Sequence, residues 1–546
     1  MSAKSYRIAA QLIALLTAVG IAASANGATD AASETRNLNE LRNTVVNLLQ
    51  GLVERGVLTR EQAEAMVSAA QKKAAEDAAA VEAQEQAEAG AVRVPYVPEI
   101  VKEEIRKQVV AELEPQVTKN VVEQAHSEQW GVPGALPDWV QRVRWSGDIR
   151  VRGQGDLFAD ENLPALDYLA INDRGGIDRA ALGALANTTE DRERLRARLR
   201  LGIEAQLGYG WSLGARIATG NLRDPISTNQ TLGNTGARYQ TGFDLAYAKW
   251  YGNSSTGRHV FNATAGRIPN PWLGTDLVWD QDLTFEGVAL NYRLGLMRDD
   301  PYSHFVFATL GAFPLQEVEL STSDKWLYGG QLGLEWKFSG GSRVRFGMAY
   351  YQYRNIVGQL NTRESNLLDF TAPQFMQKGN TLFDIRNTAD TSANLFALAA
   401  DYRLADATLN FDWKVAPLYR LAFTADFVKN VGYDEAEVIA RHPFNTDGRA
   451  RTSGYQAELN FGSSAPLNGS WHAFVGYRYL ERDAVLDAFT DSDFHLGGTN
   501  AKGYFVGFDY GFTERVTARL RYLSANEIDG APLGIDVLQL DLNAQF

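Results

Sequence analysis

Arg194-Leu195-Arg196-Ala197-Arg198-Leu199-Arg200-Leu201-Gly202-Ile203-Glu204-Ala205-Gln206-Leu207 alternates strictly between polar and apolar residues. Its odd positions are leucine, alanine and isoleucine; its even ones are four arginines, then glycine, glutamate and glutamine. A strand turns successive side chains to opposite faces, so this stretch needs an apolar medium on one side and water on the other. A soluble sandwich supplies that boundary once. Here the pattern recurs about fifteen more times, down to Ile535–Phe546, with no helices between the repeats to cover the apolar faces. That predicts an all-β transmembrane chain, an antiparallel barrel in lipid around a polar lumen.

The N-terminus agrees with export. Lys4 and Arg7 precede an apolar stretch, Ile8 to Ala22, and the small residues Ala23-Ser24-Ala25, which reads as a signal peptide over 1–25. The competing reading, a membrane anchor, is weakened by Gln11, Thr17 and Gly20 and by a length short of the roughly twenty residues a spanning helix needs. The chain has no cysteine, which leaves no disulfide framework and no thiolate metal site. It has 49 glycines and 11% aromatic residues, turn formers and girdle formers in the numbers a many-stranded barrel uses. The formal charge of −13 becomes −15 once Lys4 and Arg7 leave with the signal, which disfavours nucleic acid as a partner.

Residues 26–91 have helical period. Leu38, Leu41, Val45, Leu48, Leu49 and Leu52 recur at three and four, Gly56 stands at a C-cap, and Thr59 with Gln62 forms a capping box for a second helix. An Ala/Glu/Gln spacer follows. Residues 92–140 begin with the Pro95 and Pro98 joint and continue into a helix whose Ile100, Val101, Ile105, Val109 and Leu113 share a stripe. Two readings of that stripe stand: a short trimeric coiled coil, or a helix lying on the barrel rim.

The barrel is expected over 141–546, its first strand near Val143 to Val151. Bacterial barrels have short periplasmic turns and long outer loops, and the connections alternate accordingly. Long ones run to Glu190 and over Asn221–Gln240, Pro269–Asp282, Pro314–Lys325, Asn355 to about Asp406, Val431–Arg449, Arg482–Asn500 and Glu527–Gly534, with short ones between them. That gives sixteen strands with both barrel ends periplasmic. Asn394–Leu404 also has strand character and is read as part of the fifth outer loop, folding back or extending beyond the membrane; an eighteen-strand barrel is the alternative.

No catalytic set stands out. The six histidines, His126, His259, His304, His442, His472 and His495, are scattered, and no G-x-S-x-G, metal or cofactor motif is present. The chain is therefore not read as an enzyme. The residues that draw attention are the lumen-side arginines: Arg144, Arg150 and Arg152 on the first strand, Arg194, Arg196, Arg198 and Arg200 on the second, and Arg216 on the third. Such a wall would concentrate anions and orient carboxylate or phosphate groups. Alternatively the arginines pair with neighbours such as Asp148 and Glu204 and simply stiffen the wall. The third outer loop, with Trp272, Asp276, Trp279, Asp280 and Asp282, is too apolar to extend into water. Folded inward it would narrow the pore and set Asp276 or Asp280 across from the arginines; as an outer cap it would place its tryptophans in the aromatic girdle.

Several stretches resemble the bacterial putative porins, outer-membrane proteins with a helical periplasmic N-terminus: GVLTREQAE within Leu48–Val67, VRVPYVPEIVKEEI from Val92, GDIRVR from Gly147, GRIPNPW from Gly266, DLTFEGVAL from Asp282, and the terminal Phe546. The resemblance covers nearly all of the chain after the signal. It implies a homotrimer in outer-membrane lipid and recognition of Phe546 by the outer-membrane assembly machinery. It names no solute, and the short pore-loop motif of the best-studied trimeric porins is absent. The resulting expectation is passive diffusion of small hydrophilic solutes with anion preference. A structural anchor whose periplasmic helices bind cell wall or a protein is the alternative.

Overall fold

The computed structural model describes residues 142–176, 185–319, 321–388, 393–463 and 466–546. The signal, the helical extension and the Pro-rich joint fall outside the described residues. Sixteen strands form the barrel: β1 (Val143–Phe158), β2 (Arg192–Gly208), β3 (Trp211–Thr219), β4 (Thr241–Asn253), β5 (His259–Pro269), β6 (Thr284–Gly295), β7 (His304–Gln316), β8 (Lys325–Lys337), β9 (Arg343–Arg354), β10 (Arg403–Lys414), β11 (Tyr419–Asn430), β12 (Ser453–Ser463), β13 (Trp471–Leu480), β14 (Ala501–Gly511), β15 (Val516–Glu527) and β16 (Gly534–Gln545). Each pairs antiparallel with the next, and β1 closes the ring on β16 from Asp148↔Gln545 to Phe158↔Ile535. Closure leaves no sheet edge, the condition for a sheet to sit in hydrocarbon.

The arginine-rich strand behaves as its period demands. Leu195 is 60% exposed and Leu199 44%, both on the outer surface, while the arginines between them turn inward. Trp145, Trp211, Trp250, Trp336 and Trp413 are exposed near the strand ends that carry the short turns, forming one aromatic girdle. Among the described residues no helix is long and apolar enough to cross a membrane; the strands do so.

Two boundaries differ from the sequence expectation. β1 continues to Phe158 rather than stopping near Val151. Gly153-Gln154-Gly155-Asp156 resembles a turn in composition, yet Gln154 and Asp156 keep the inward alternation and the segment pairs on both sides, with β2 and β16. The fifth outer loop ends at Tyr402. Within Asn394–Leu404, Phe396–Leu398 folds back on Leu382–Asp384 as a buried two-stranded ribbon, so it is no membrane strand and the barrel has sixteen.

The long loops fill much of the lumen. Loop L3 (270–283), L5 (355–402), L6 (431–452) and L7 (481–500) share a buried core including Trp272, Leu277, Trp279, Ile385, Leu398, Tyr402, Val438 and Val485. This sidedness sets a topology test. A small tag at Gly233 or at the 80% exposed Leu367 is expected to react with impermeant reagent on intact cells, whereas one at Gly340, in a short turn, reacts only after lysis. The reverse pattern would invert the barrel.

Candidate functional site

The arginines meet in a block. Across β1 and β2, Arg150 stands directly opposite Arg198 and Arg152 opposite Arg196. Like charges in such positions repel, so the arrangement persists only because acids and polar groups surround it. Arg152 is 3% exposed and binds Asp541 of β16 through Nε at 2.7 Å and Nη2 at 2.9 Å, closing the barrel seam, while its Nη1 reaches both oxygens of Asp493 in L7 at 3.0 and 2.9 Å. Arg194 binds Asp156 at 2.6 Å. Arg198 and Arg200 both bind Asp148, each at 2.7 Å, and both reach Asp282 of L3, at 3.4 and 3.1 Å.

Two of the block make no ion pair among the described residues. Arg150 donates from Nη2 to Asn229 Oδ1 at 2.5 Å, and Arg196 donates to Gln154 Oε1 at 3.3 Å and Ser227 Oγ at 3.4 Å. The Nε of each is buried without a hydrogen-bond acceptor. Arg144 lies on the short-turn side, exposed, in register with Glu204; Glu204 accepts from Gln206 and, among the described residues, makes no ion pair with the wall, whereas Asp148, the other acid of the alternative reading, does. Arg216 pairs with Asp244 at 2.8 Å, beside a separate cavity that also touches Arg200 and Phe546.

L3 folds inward. Gly311 and Gly329 are register partners on β7 and β8, and a Cβ on Gly329 would lie 2.6 Å from Trp272, so this glycine pair is the hollow in which Trp272 seats. Trp272 packs edge-on to Phe313 and Tyr351, and Trp279 to Phe285 and Tyr351. Both tryptophans are thus core residues behind the loop and belong to no girdle. Leu273 exchanges two hydrogen bonds with Gln331, and Thr275 donates from N and Oγ1 to Asp426, pinning L3 to the far wall.

The acid edge of L3 is then displayed, with roles other than expected. Asp282 reaches the arginine block. Asp280 accepts from its own loop at Asp282 N and from Ser492 N of L7 at 2.9 Å. Asp276 faces Arg478 and Arg521 as well as Asp491 and Glu458; burial first and Asp491 second push it up to about 7. Burial and the neighbouring Asp491, Asp276 and Asp282 hold Asp280 well above the usual carboxylate range. Asp282 is also buried, but Arg198, Arg200 and Arg150 outweigh that and keep it below the ordinary value.

L7 contributes what sequence reasoning missed. Asp491 binds Arg478 of β13 at 3.0 Å, and Asp493 binds Arg152 and, at 3.5 Å, Arg521 of β15. The signal was present: Asp487-Ala-Phe-Thr-Asp491-Ser-Asp493-Phe494 has the same mixture of acid and aromatic residues as L3. L3, L7 and the wall enclose a cavity of about 180 Å³, lined by the guanidiniums of Arg150, Arg152, Arg198, Arg478, Arg519 and Arg521 against the carboxylates of Asp276, Asp280, Asp282, Glu458, Asp491 and Asp493. Toward the short turns it gives way to a vestibule of about 1240 Å³. The two cavities adjoin at Asn460, His472 and Arg519, so the wide polar vestibule meets a narrow throat lined by guanidiniums and carboxylates.

A family model described as putative porin matches residues 42–546. The chain belongs to the putative porin family. This porin is accordingly a channel for small solutes in the bacterial outer membrane, a family and fold that typically carry no catalysis. No curated protein matches its sequence. Among solved structures it is similar to OprB of Pseudomonas putida at high pH, with 13% identity over 77% of this porin and 97% of that chain and a TM-score of 0.43. It is also similar to OmpF of Salmonella typhi (10%, covering 74% and 97%, TM-score 0.37) and to the outer membrane channel DcaP of Acinetobacter baumannii (13%, 74% and 97%, 0.37).

Proposed function

We propose that this porin passes small hydrophilic solutes by diffusion with a preference for anions, and that the throat between the arginine block and L3 sets the preference. The observation that carries this is Arg150, which lines the throat, together with Arg196 opposite the throat-lining Arg152, two inward guanidiniums that make no ion pair among the described residues. Six cations and six carboxylates line the throat. With Asp276 pushed up to about 7 and Asp280 held well above the usual carboxylate range, the acid edge is only partly ionised at neutral pH, and the balance falls to the positive side. On the same reading residues 26–140 are periplasmic, where the Ile100–Leu113 stripe trimerises the protein, and Phe546 serves the assembly machinery. The start of β1 and the end of β16 both lie on the short-turn side, which supports the periplasmic placement.

Purified protein in a planar bilayer is expected to give discrete conductance steps and an anion-selective reversal potential in a KCl gradient. The sign of the pH dependence follows from Asp276. Raising pH through about 7 ionises it beside Asp491 and Glu458 and opposite Arg478 and Arg521, so anion preference should fall between pH 6 and 9. Asp276→Asn should flatten that part of the profile at the low-pH value. Absence of steps, or cation selectivity at pH 6, would refute the reading.

A further inference from the structure

L7 is an outer loop, yet its tip lies inside the barrel and its acids hold guanidiniums from three separated strands. Asp493 takes a two-oxygen grip on Arg152 Nη1, and Arg521 offers one Nη to Asp493 and the other to Asp491, at 3.5 and 3.7 Å. Arg478 completes the set on Asp491 and is capped by the Phe494 ring, 4.7 Å from the guanidinium carbon. The two carboxylates sit two residues apart, joined by an Asp493 N–H bond to Asp491 Oδ1 at 2.8 Å. Three guanidiniums therefore face the two L7 carboxylates, Asp541 of β16 holding the remaining edge of Arg152, and Arg196, which makes no ion pair among the described residues, stands opposite Arg152 in the register. Planar guanidinium forks match carboxylates in paired geometry and hold them far better than a point charge would. Nothing in barrel closure requires that these carboxylates come from a loop.

We propose that Arg152, Arg478 and Arg521 form a receptor for a short-chain dicarboxylate, and that Asp491 and Asp493 of L7 occupy this receptor until the solute displaces them. The inference rests on the reading of the throat as an anion path and adds the solute class to it. Two acids spaced by a short chain are selected because the occupied geometry is two acids bridged by one guanidinium. A monocarboxylate replaces one of them, and a single phosphate can fork onto one guanidinium but supplies one anionic centre where Asp491 and Asp493 supply two. A tethered competitor acts at an effective concentration of order millimolar, so L7 weakens solute binding in the intact protein and keeps the throat narrow when solute is scarce. Asp280 and the Phe489 carbonyl, bonded to Ser492 N and Asp280 N, make L3 the rest on which L7 docks.

The test is calorimetric titration of the full-length protein in detergent with succinate, propionate and phosphate, alongside the D491N/D493N double variant. Succinate is expected to bind the wild type at least tenfold tighter than propionate or phosphate, and the double variant at least tenfold tighter than the wild type. Adding R478Q to the double variant should remove that gain. Equal affinity for succinate and propionate, or a folded double variant that binds succinate no tighter, overturns the receptor. Should the double variant fail to show the heat-shifted band of a folded barrel, the succinate-to-propionate contrast in the wild type decides alone. These titrations do not depend on conductance, so the reversal potential in KCl separately judges the anion-path reading.

Discussion

Replacing Arg150 and Arg196 together by glutamine is expected to lower the chloride-to-potassium permeability ratio about tenfold, equivalent to ~1.4 kcal/mol. These are the two guanidiniums of the β1–β2 block that make no ion pair among the described residues, so their removal takes away positive charge without stranding a paired carboxylate. Two charges at 4 Å interact by about 1 kcal/mol in bulk water and about 4 kcal/mol at an effective dielectric of 20, so a tenfold change is modest for a narrow throat. Arg198 would be a poorer choice. It is shared between Asp148 and Asp282, and its loss would free acids as well as remove a cation. The reversal potential in a KCl gradient reads the effect, which should shrink at 1 M salt, where the Debye length is about 3 Å. Arg144→Gln, at the exposed short-turn rim, is the control and should change little. An inserted double variant with the wild-type reversal potential would mean that ions bypass the block.

Arg152→Ala is expected to destabilise the barrel by about 3–5 kcal/mol, because it strands buried acids on two elements at once. Asp541 is left uncompensated at the β1–β16 seam, where the first and last strands meet, and Asp493 loses its grip in L7. Asp493 shows how much the arginines matter. Burial alone would raise its carboxyl, yet Arg152, Arg521 and Arg196 hold it well below the usual range. The temperature at which the folded band disappears on a gel should fall sharply in the variant. Asp541→Asn in the same chain should recover part of the loss, since the amide leaves no bare charge. An unchanged transition, or no recovery in the double variant, would show that main-chain pairing alone carries the seam.

Much of the barrel was legible because its determinants are local. The alternation of Arg194–Leu207 states which residues face lipid without reference to any other strand, and loop parity orders sixteen such segments with no contact known. The same locality explains the misjudged end of β1: Gly153-Gln154-Gly155-Asp156 carries turn composition, and only neighbours on both sides make it a strand. The inward turn of L3 was one of two open readings, since its aromatic content demanded burial while leaving the place open. The Gly311–Gly329 hollow that receives Trp272 lies on two strands outside the loop.

By itself, then, the sequence determined a lipid-embedded barrel and a lumen rich in arginine, both consequences of period-two patterning against two solvents. Only the tertiary structure decided which arginines are ion-paired and which are not. Arg152 and Asp541 are 389 positions apart and Arg152 and Asp493 are 341 apart; no local pattern couples them. Ring closure brings β1 to β16 and the insertion of L7 brings Asp493 to both, and the charge of the throat is the sum over those distant pairs.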